Sequence, residues 1–136
     1  MKYQDYIDAF NNNADESAKA AFFTDDVILQ APYAHLQGRD AVLAMFAAAH
    51  SKVKEELRPR LVVQDGDIIM AEVDAAFVAK EDTPGSPFYE FKKGEAVAFR
   101  FFGVYKLRED RIYKKALSHT AVHPSTTSKR IFELLE

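Results

Sequence analysis

Apolar positions recur at helical spacing in the first part of the chain and on alternate residues in the second. Tyr3, Tyr6, Ile7 and Phe10 fall at i, i+3, i+4 and i+7, which stacks them on one face of a helix. Asn11, Asn12 and Asn13 stop that helix, because asparagine bonds its own backbone and tolerates left-handed geometry. Asp15 is placed to cap a short second helix carrying Ala18, Ala21 and Phe22. Asp25 and Asp26 lead into Val27, Ile28 and Leu29, a short strand. The segment from Pro32 to Gln37 is extended and ends at Gly38. A third helix then opens with Asp40 at the positive end of its dipole. Val42, Leu43, Phe46, Ala49, His50 and Val53 form its buried stripe.

From Arg58 the period becomes strand-like. Leu61, Val62 and Val63 run into Asp65-Gly66, a hairpin dipeptide, and Ile68 to Val78 returns. Thr83-Pro84-Gly85-Ser86-Pro87 is a loop. A long strand spans about Glu95 to Leu107, turns at Arg108 to Asp110, and is followed by a last strand from Arg111 to about Thr120. Helices first and an antiparallel meander afterwards indicate an α+β fold, since parallel strands need a crossover between them. Residues 1–136 read as one domain. A Ser/Thr-rich stretch after Pro124 precedes Ile131, Phe132, Leu134 and Leu135, so 125–136 reads as a short docking tail that reaches a second subunit.

Composition narrows the function classes. Eleven Phe and six Tyr in 136 residues supply a real core and exclude a disordered chain. A net charge of −3 gives no basis for nucleic-acid binding. Lys52, Lys54, Arg58 and Arg60 cluster, but Glu55 and Glu56 stand among them, and the run reads as a solvated face. With no cysteine, disulfides, thiolate catalysis and cysteine-ligated zinc are excluded. The N-terminus shows no signal-like apolar stretch and no window approaches transmembrane length, so a cytoplasmic location without membrane contact is expected.

Three pieces carry a family resemblance through their order and spacing. They are Tyr6-Ile-Asp-Ala-Phe10 with the following Phe22-Phe-Thr-Asp-Asp-Val27, then Leu36-Gln-Gly-Arg-Asp-Ala-Val-Leu-Ala-Met-Phe46, then Val104-Tyr-Lys-Leu-Arg-Glu-Asp-Arg-Ile112. Over residues 3 to 118 the chain resembles the SnoaL-like branch of the nuclear transport factor 2-like superfamily, the branch of ketosteroid isomerase-like and polyketide cyclase-like proteins. The resemblance implies a cone-shaped, curved antiparallel sheet, a partly open barrel closed by three N-terminal helices, with a pocket inside and frequent homodimers. The family commonly has Asp-Gly-Lys-Ile at the last hairpin, where this chain has Glu109-Asp110-Arg111-Ile112, which leaves the turn type open. Relatives include isomerases, dehydratases, epoxide hydrolases, cyclases and plain binding proteins, so the site must decide the activity.

Pleat alternation sorts the candidate residues by face. Met70, Glu72, Asp74, Ala76 and Val78 share one face, and pairing of the two long strands sets Asp74 nearly opposite Arg100. If that face is the interior, Glu72 or Asp74 is a proton shuttle and Arg100 holds an anionic oxygen. If it is the exterior, the three form a cross-strand salt bridge. The opposite face (Val97, Phe99, Phe101, Tyr105) is the more apolar. With that face inside, Glu95 and Tyr105 enter the cavity, and the Tyr105 hydroxyl is the expected donor to a ligand. Tyr33 and His35 lie near the presumed mouth, His50 on the buried stripe of the third helix, and His119 at the end of the last strand. His123 is expected to be exposed. The four histidines match no short metal-ligand spacing, and no phosphate-binding loop, nucleophile elbow or dinucleotide fingerprint occurs. The expected function is binding of a small apolar or aromatic, partly oxygenated molecule. If it is catalytic, the chemistry is cofactor-independent isomerisation, dehydration or cyclisation, with Glu72, Asp74 or a histidine as the base and Tyr105 or Arg100 stabilising the oxyanion. The alternative is a non-catalytic dimeric module that binds a ligand or a protein.

Overall fold

The computed structural model describes residues 1–12, 15–84, 90–120, 123–125 and 131–135. Three helices come first, α1 (Tyr3–Asn11), α2 (Glu16–Ala20) and α3 (Arg39–His50), with strands β1 (Phe23–Ala31) and β2 (Ala34–Gln37) between the second and third. Then follow β3 (Val53–Asp65), β4 (Ile68–Ala79), β5 (Ala96–Arg108), β6 (Arg111–His119) and the short β7 (His123–Ser125). A 3-10 helix, Ile131–Leu135, ends the described chain. The strands form one curved, unclosed sheet in the order β2-β1-β6-β5-β4-β3, with β7 paired to β5.

α1 buries Tyr3, Tyr6, Ile7 and Phe10, the face its spacing defines. It ends at Asn11, whose side-chain amide donates to the Leu57 carbonyl and accepts from the Leu57 N–H, both bonds under 3 Å. That pair ties the helix to β3. Asp15 caps α2 by accepting from the Ala18 N–H at 2.9 Å. Asn13 and the loop residues Gly85, Ser86 and Pro87 lie outside the described residues.

Several boundaries differ from the sequence reading. Val53 is the first residue of β3 and not the last of α3; it is buried either way, and one apolar residue cannot separate the two periods. β1 starts at Phe23 and carries Asp25 and Asp26 within it. It also pairs parallel to β6, joining the ends of the chain across the intervening hairpins. The first hairpin turns at Gly66-Asp67, one residue later than expected, with Asp65 still paired to Ile68. Gly66 alone there takes positive φ (56°), a geometry glycine adopts without strain. At the last hairpin Glu109 (φ 51°) and Asp110 (φ 64°) both take positive φ, the pattern of a type I′ turn built without glycine.

β4 and β5 pair with Asp74 opposite Arg100 and Glu72 opposite Phe102, close to the expected register. Ile69, Ala71, Val73, Ala75 and Phe77 of β4, with Val97, Phe99, Phe101, Tyr105 and Leu107 of β5, pack with the helices into the main core. The helices therefore cover the face carrying Tyr105. The terminal 3-10 helix packs on the opposite face of its own sheet, with Phe132 and Leu135 against Ala76, Ala96 and Ala98. Among the described residues no helix is long and apolar enough to cross a membrane.

Candidate functional site

Where α1 and α3 span the curved sheet, the core leaves a cavity of about 80 Å³. Phe10, Phe46, Phe77, Phe99, Phe101 and Tyr105 supply most of its apolar wall. Tyr33, Met45, Ala49 and His119 line it while keeping partial exposure, and so mark its rim. Tyr105 gains its room from Gly103, two residues earlier on the same face. A Cβ there would stand 2.8 Å from the Tyr105 ring and 3.1 Å from Leu117.

Polar side chains reach this cavity from α1, α3, β3, β5, β6 and the turn between β1 and β2. Glu55 of β3 sits opposite Phe77 and turns inward. Its Oε2 lies 3.0 Å from Nε2 of His50, the last residue of α3. The other ring nitrogen, Nδ1, is 3.2 Å from Nζ of Lys19, a buried residue of α2 that also reaches Glu16 at 3.3 Å. An ammonium can only donate, so Nδ1 accepts, the imidazole proton resides on Nε2, and Nε2–H donates to Glu55. His50 thus orients Glu55, with its own lone pair already used by Lys19. The carboxylate is left as the basic group facing the cavity.

Lys115 of β6 stands opposite Tyr105 and points into the same space. Its Nζ donates to the Tyr6 hydroxyl at 2.7 Å. The rings of Tyr6, Phe10, Phe46 and Tyr105 surround that nitrogen at 5.3–5.7 Å. Burial pushes the Lys115 ammonium down to about 8, with the Glu55 carboxylate pulling it back up. Burial likewise raises Tyr6 and Tyr105 well above the ordinary tyrosine value, and neighbouring tyrosines and Glu55 add to it. Tyr3 and Tyr33 are pushed up to about 12, mainly by desolvation. The cavity therefore holds an amine with a weakened hold on its proton, beside phenols that are protonated at neutral pH.

The residues singled out from sequence divide between two faces. Tyr33, His50, Tyr105 and His119 line the cavity. The Tyr105 hydroxyl is bonded to Tyr3 Oη at 2.8 Å, so its ring, more than its oxygen, is what the cavity meets. His119 packs at a tilt against Phe99, 5.2 Å between ring centres, and its Nδ1 pairs with the Thr120 carbonyl. His35 is exposed on β2 and does not line the cavity. Glu95 stays outside as well, its carboxylate accepting from the Lys92 N–H just before β5 begins. The side chain of His123 is outside the described set.

Glu72, Asp74 and Arg100 lie on the opposite face. Arg100 donates to Asp74 at 2.7 and 3.3 Å, and Arg60 reaches Asp74 at 3.1 Å and Glu72 at 3.4 Å. Arg100 also donates to the Leu135 carbonyl, and the Arg58 guanidinium lies 3.8 Å above the Phe132 ring. This network holds the terminal 3-10 helix to the sheet. Glu55, read from sequence as part of a solvated run, and Lys115, not singled out at all, are the two charged groups that the fold brings into the cavity. Among the described residues no group of three or more His, Asp or Glu side chains is placed to hold a metal ion.

A curved sheet with helices across its hollow and charged groups turned into that hollow defines a cone-shaped α+β pocket fold. The SnoaL-like domain profile matches residues 3–115. The chain belongs to that family, within the nuclear transport factor 2-like superfamily. Among solved structures, it resembles a proposed polyketide cyclase from Xanthomonas campestris (22% identity, TM-score 0.72, covering 85% of this chain and 84% of that one). A proposed polyketide cyclase from Pseudomonas putida is similar at 20% identity and TM-score 0.73, covering 85% and 86%. An epoxide hydrolase from M. tuberculosis matches at 16% identity and TM-score 0.70, covering 87% and 79%. At these identities the likeness is one of fold. No curated protein matches the chain in sequence.

Proposed function

We propose that this protein binds a small oxygenated compound in the cavity and moves a proton on it, with Glu55 as the base and the Lys115–Tyr6 pair as the group that receives the oxygen. The observation that carries this reading is that a carboxylate and an ammonium line one apolar cavity. A carbonyl oxygen at the Lys115–Tyr6 end would gain a cation and a phenol as hydrogen-bond donors, in surroundings where water does not compete. A C–H next to that carbonyl is then acid enough for a carboxylate held by His50. Isomerisation, dehydration and aldol-type cyclisation all begin this way. Volume limits the ligand: an engineered cavity of about 150 Å³ holds benzene, and this one is about 80 Å³. A substrate that fits this volume has a few carbon atoms, well short of a steroid. Exchange of α-hydrogens in D₂O, followed by proton NMR over a panel of small ketones, aldehydes and hydroxy acids, tests the reading. Wild type should accelerate exchange on at least one of them, and Glu55→Gln should lose on the order of 100-fold or more. If wild type binds members of the panel and accelerates none, the protein is a binding module and the proton-transfer reading fails.

We further propose that the outer sheet face joins a second copy of this chain. Leu61, Val63, Met70 and Phe102 share that face at 46–60% exposure, forming an apolar groove with Val104 and Ala116. Adjacent apolar positions left open on a sheet, bordered by paired charges, fit a self-complementary contact.

A further inference from the structure

Lys115 is a buried amine that proton transfer alone does not require. Resting on the reading above, we propose that Lys115 acts covalently, its Nζ condensing with the carbonyl carbon of a small aldehyde or ketone to form an imine. Three features of the site lead there. Lys115 lines the cavity, and its Nζ ends against the hydroxyl of Tyr6, another lining residue. Four aromatic rings around it keep water away from the C=N bond once formed. The Tyr6 hydroxyl, 2.7 Å from Nζ, is a proton donor at the place where an oxygen must leave.

The step balances without an added reagent. The nitrogen lone pair adds to the carbonyl carbon, the C–O π pair moves to oxygen, and a proton shift from nitrogen to oxygen gives the carbinolamine. Tyr6 then protonates the hydroxyl, the C–O bond breaks, and water leaves. The nitrogen lone pair forms C=N, giving the protonated imine, whose N–H donates to the Tyr6 phenolate, and hydrolysis of the imine returns the proton to that oxygen. Glu55 removes a proton from the neighbouring carbon of the protonated imine to give an enamine. Desolvation of an amine in an apolar pocket is a recognised way to make lysine nucleophilic. With Lys115 brought down to about 8, the neutral fraction at about pH 7.5 is some two hundred times that of an ordinary lysine. Lys19, also buried, is committed to His50 and Glu16.

Reductive trapping tests this. Wild type, Lys115→Met, Lys115→Arg and Glu55→Gln are incubated with propanal or acetone and cyanoborohydride. Intact mass and peptide mapping then locate the product, and circular dichroism confirms that each variant folds. The expected result is one alkyl group per chain on Lys115, formed ~10- to 100-fold faster than on any other lysine. Both Lys115 variants should lose that product, and Glu55→Gln should keep it while losing α-hydrogen exchange. Labelling spread over surface lysines, alike in wild type and Lys115→Met, overturns the imine. Exchange that survives in Lys115→Met overturns it, and also removes the Lys115 ammonium from the proton-transfer reading while keeping Glu55 as its base. Specific labelling of a wild type that exchanges nothing supports the covalent lysine and rejects the proton-transfer reading.

Discussion

Replacing Lys115 by methionine should make the protein's stability respond less to pH, in a direction and by an amount the structure fixes. A free lysine titrates at 10.5, and folded Lys115 at about 8. At ~1.4 kcal/mol per pH unit, keeping this side chain charged in the core costs about 3 kcal/mol at neutral pH. Between about 8 and 10.5 the unfolded chain holds a proton that the folded chain has released. The unfolded state binds more protons, so stability rises with pH across that window, and the full penalty is present below about 8. Integrated from pH 7 to pH 9.5, wild type should gain about 2 kcal/mol relative to Lys115→Met. The absolute difference at pH 7 is smaller than the penalty, because the variant leaves the buried Tyr6 hydroxyl without its partner, a loss of about 1–3 kcal/mol. That loss does not vary with pH in this range and drops out of the comparison.

Urea unfolding followed by far-ultraviolet circular dichroism measures the effect, since the chain has no tryptophan to report by fluorescence. Measurements at pH values of about 7, 8.5 and 9.5 span the transition. Tyr3 and Tyr33, raised to about 12, act in the opposite direction above about pH 10, but equally in both proteins. The stability difference between variant and wild type must shift in favour of wild type as pH rises. A difference that stays constant to within ~0.5 kcal/mol would show that the amine is hydrated in the folded state, and the case for its reactivity would fail with it.

Two further outcomes follow from the backbone and the outer face. Glu109→Asn places a residue tolerant of positive φ at the first position of the last turn, and should add about 0.5–1 kcal/mol in urea unfolding; an unchanged or lower midpoint would count against the turn geometry. Met70→Glu puts a charge in the middle of the exposed apolar face. It should turn a sedimenting dimer into a folded monomer, and a wild type that sediments as a monomer would remove the proposed interface.

Much of the scaffold was legible because hydrophobic periodicity is a local signal. The four aromatic and aliphatic residues of α1, the stripe of α3 and the alternation of β4 and β5 each follow from spacing within one element. Cross-strand pairing of Asp74 with Arg100 could be read by counting back from a loop. Which face was interior could not be read so directly, since both carried apolar residues and the terminal segment covers part of the outer one with Phe132 and Leu135.

Glu55 and Lys115 were out of reach for a sharper reason: each is turned inward by a single extra residue in its strand. Counting back along β3 from the pair Asp65–Ile68 in unbroken register would set Glu55 opposite Val78, on the outer face with Asp74. The register shifts between Pro59 and Leu61, leaving Arg60 unpaired, and beyond it Glu55 meets Phe77 on the inner face. In the same way, unbroken pairing from Arg108–Arg111 would set Lys114 opposite Tyr105. The shift after Ile112 leaves Tyr113 unpaired and brings Lys115 there instead. One added residue in a strand of period two exchanges its faces, so each bulge moves a charge from solvent to cavity. Pro59, on an edge strand where proline removes no ladder bond that matters, was the one local sign of the first bulge. Burying these charges costs stability that a plain core would keep, and a sheet that breaks its register twice to do so points to a use for them in the cavity.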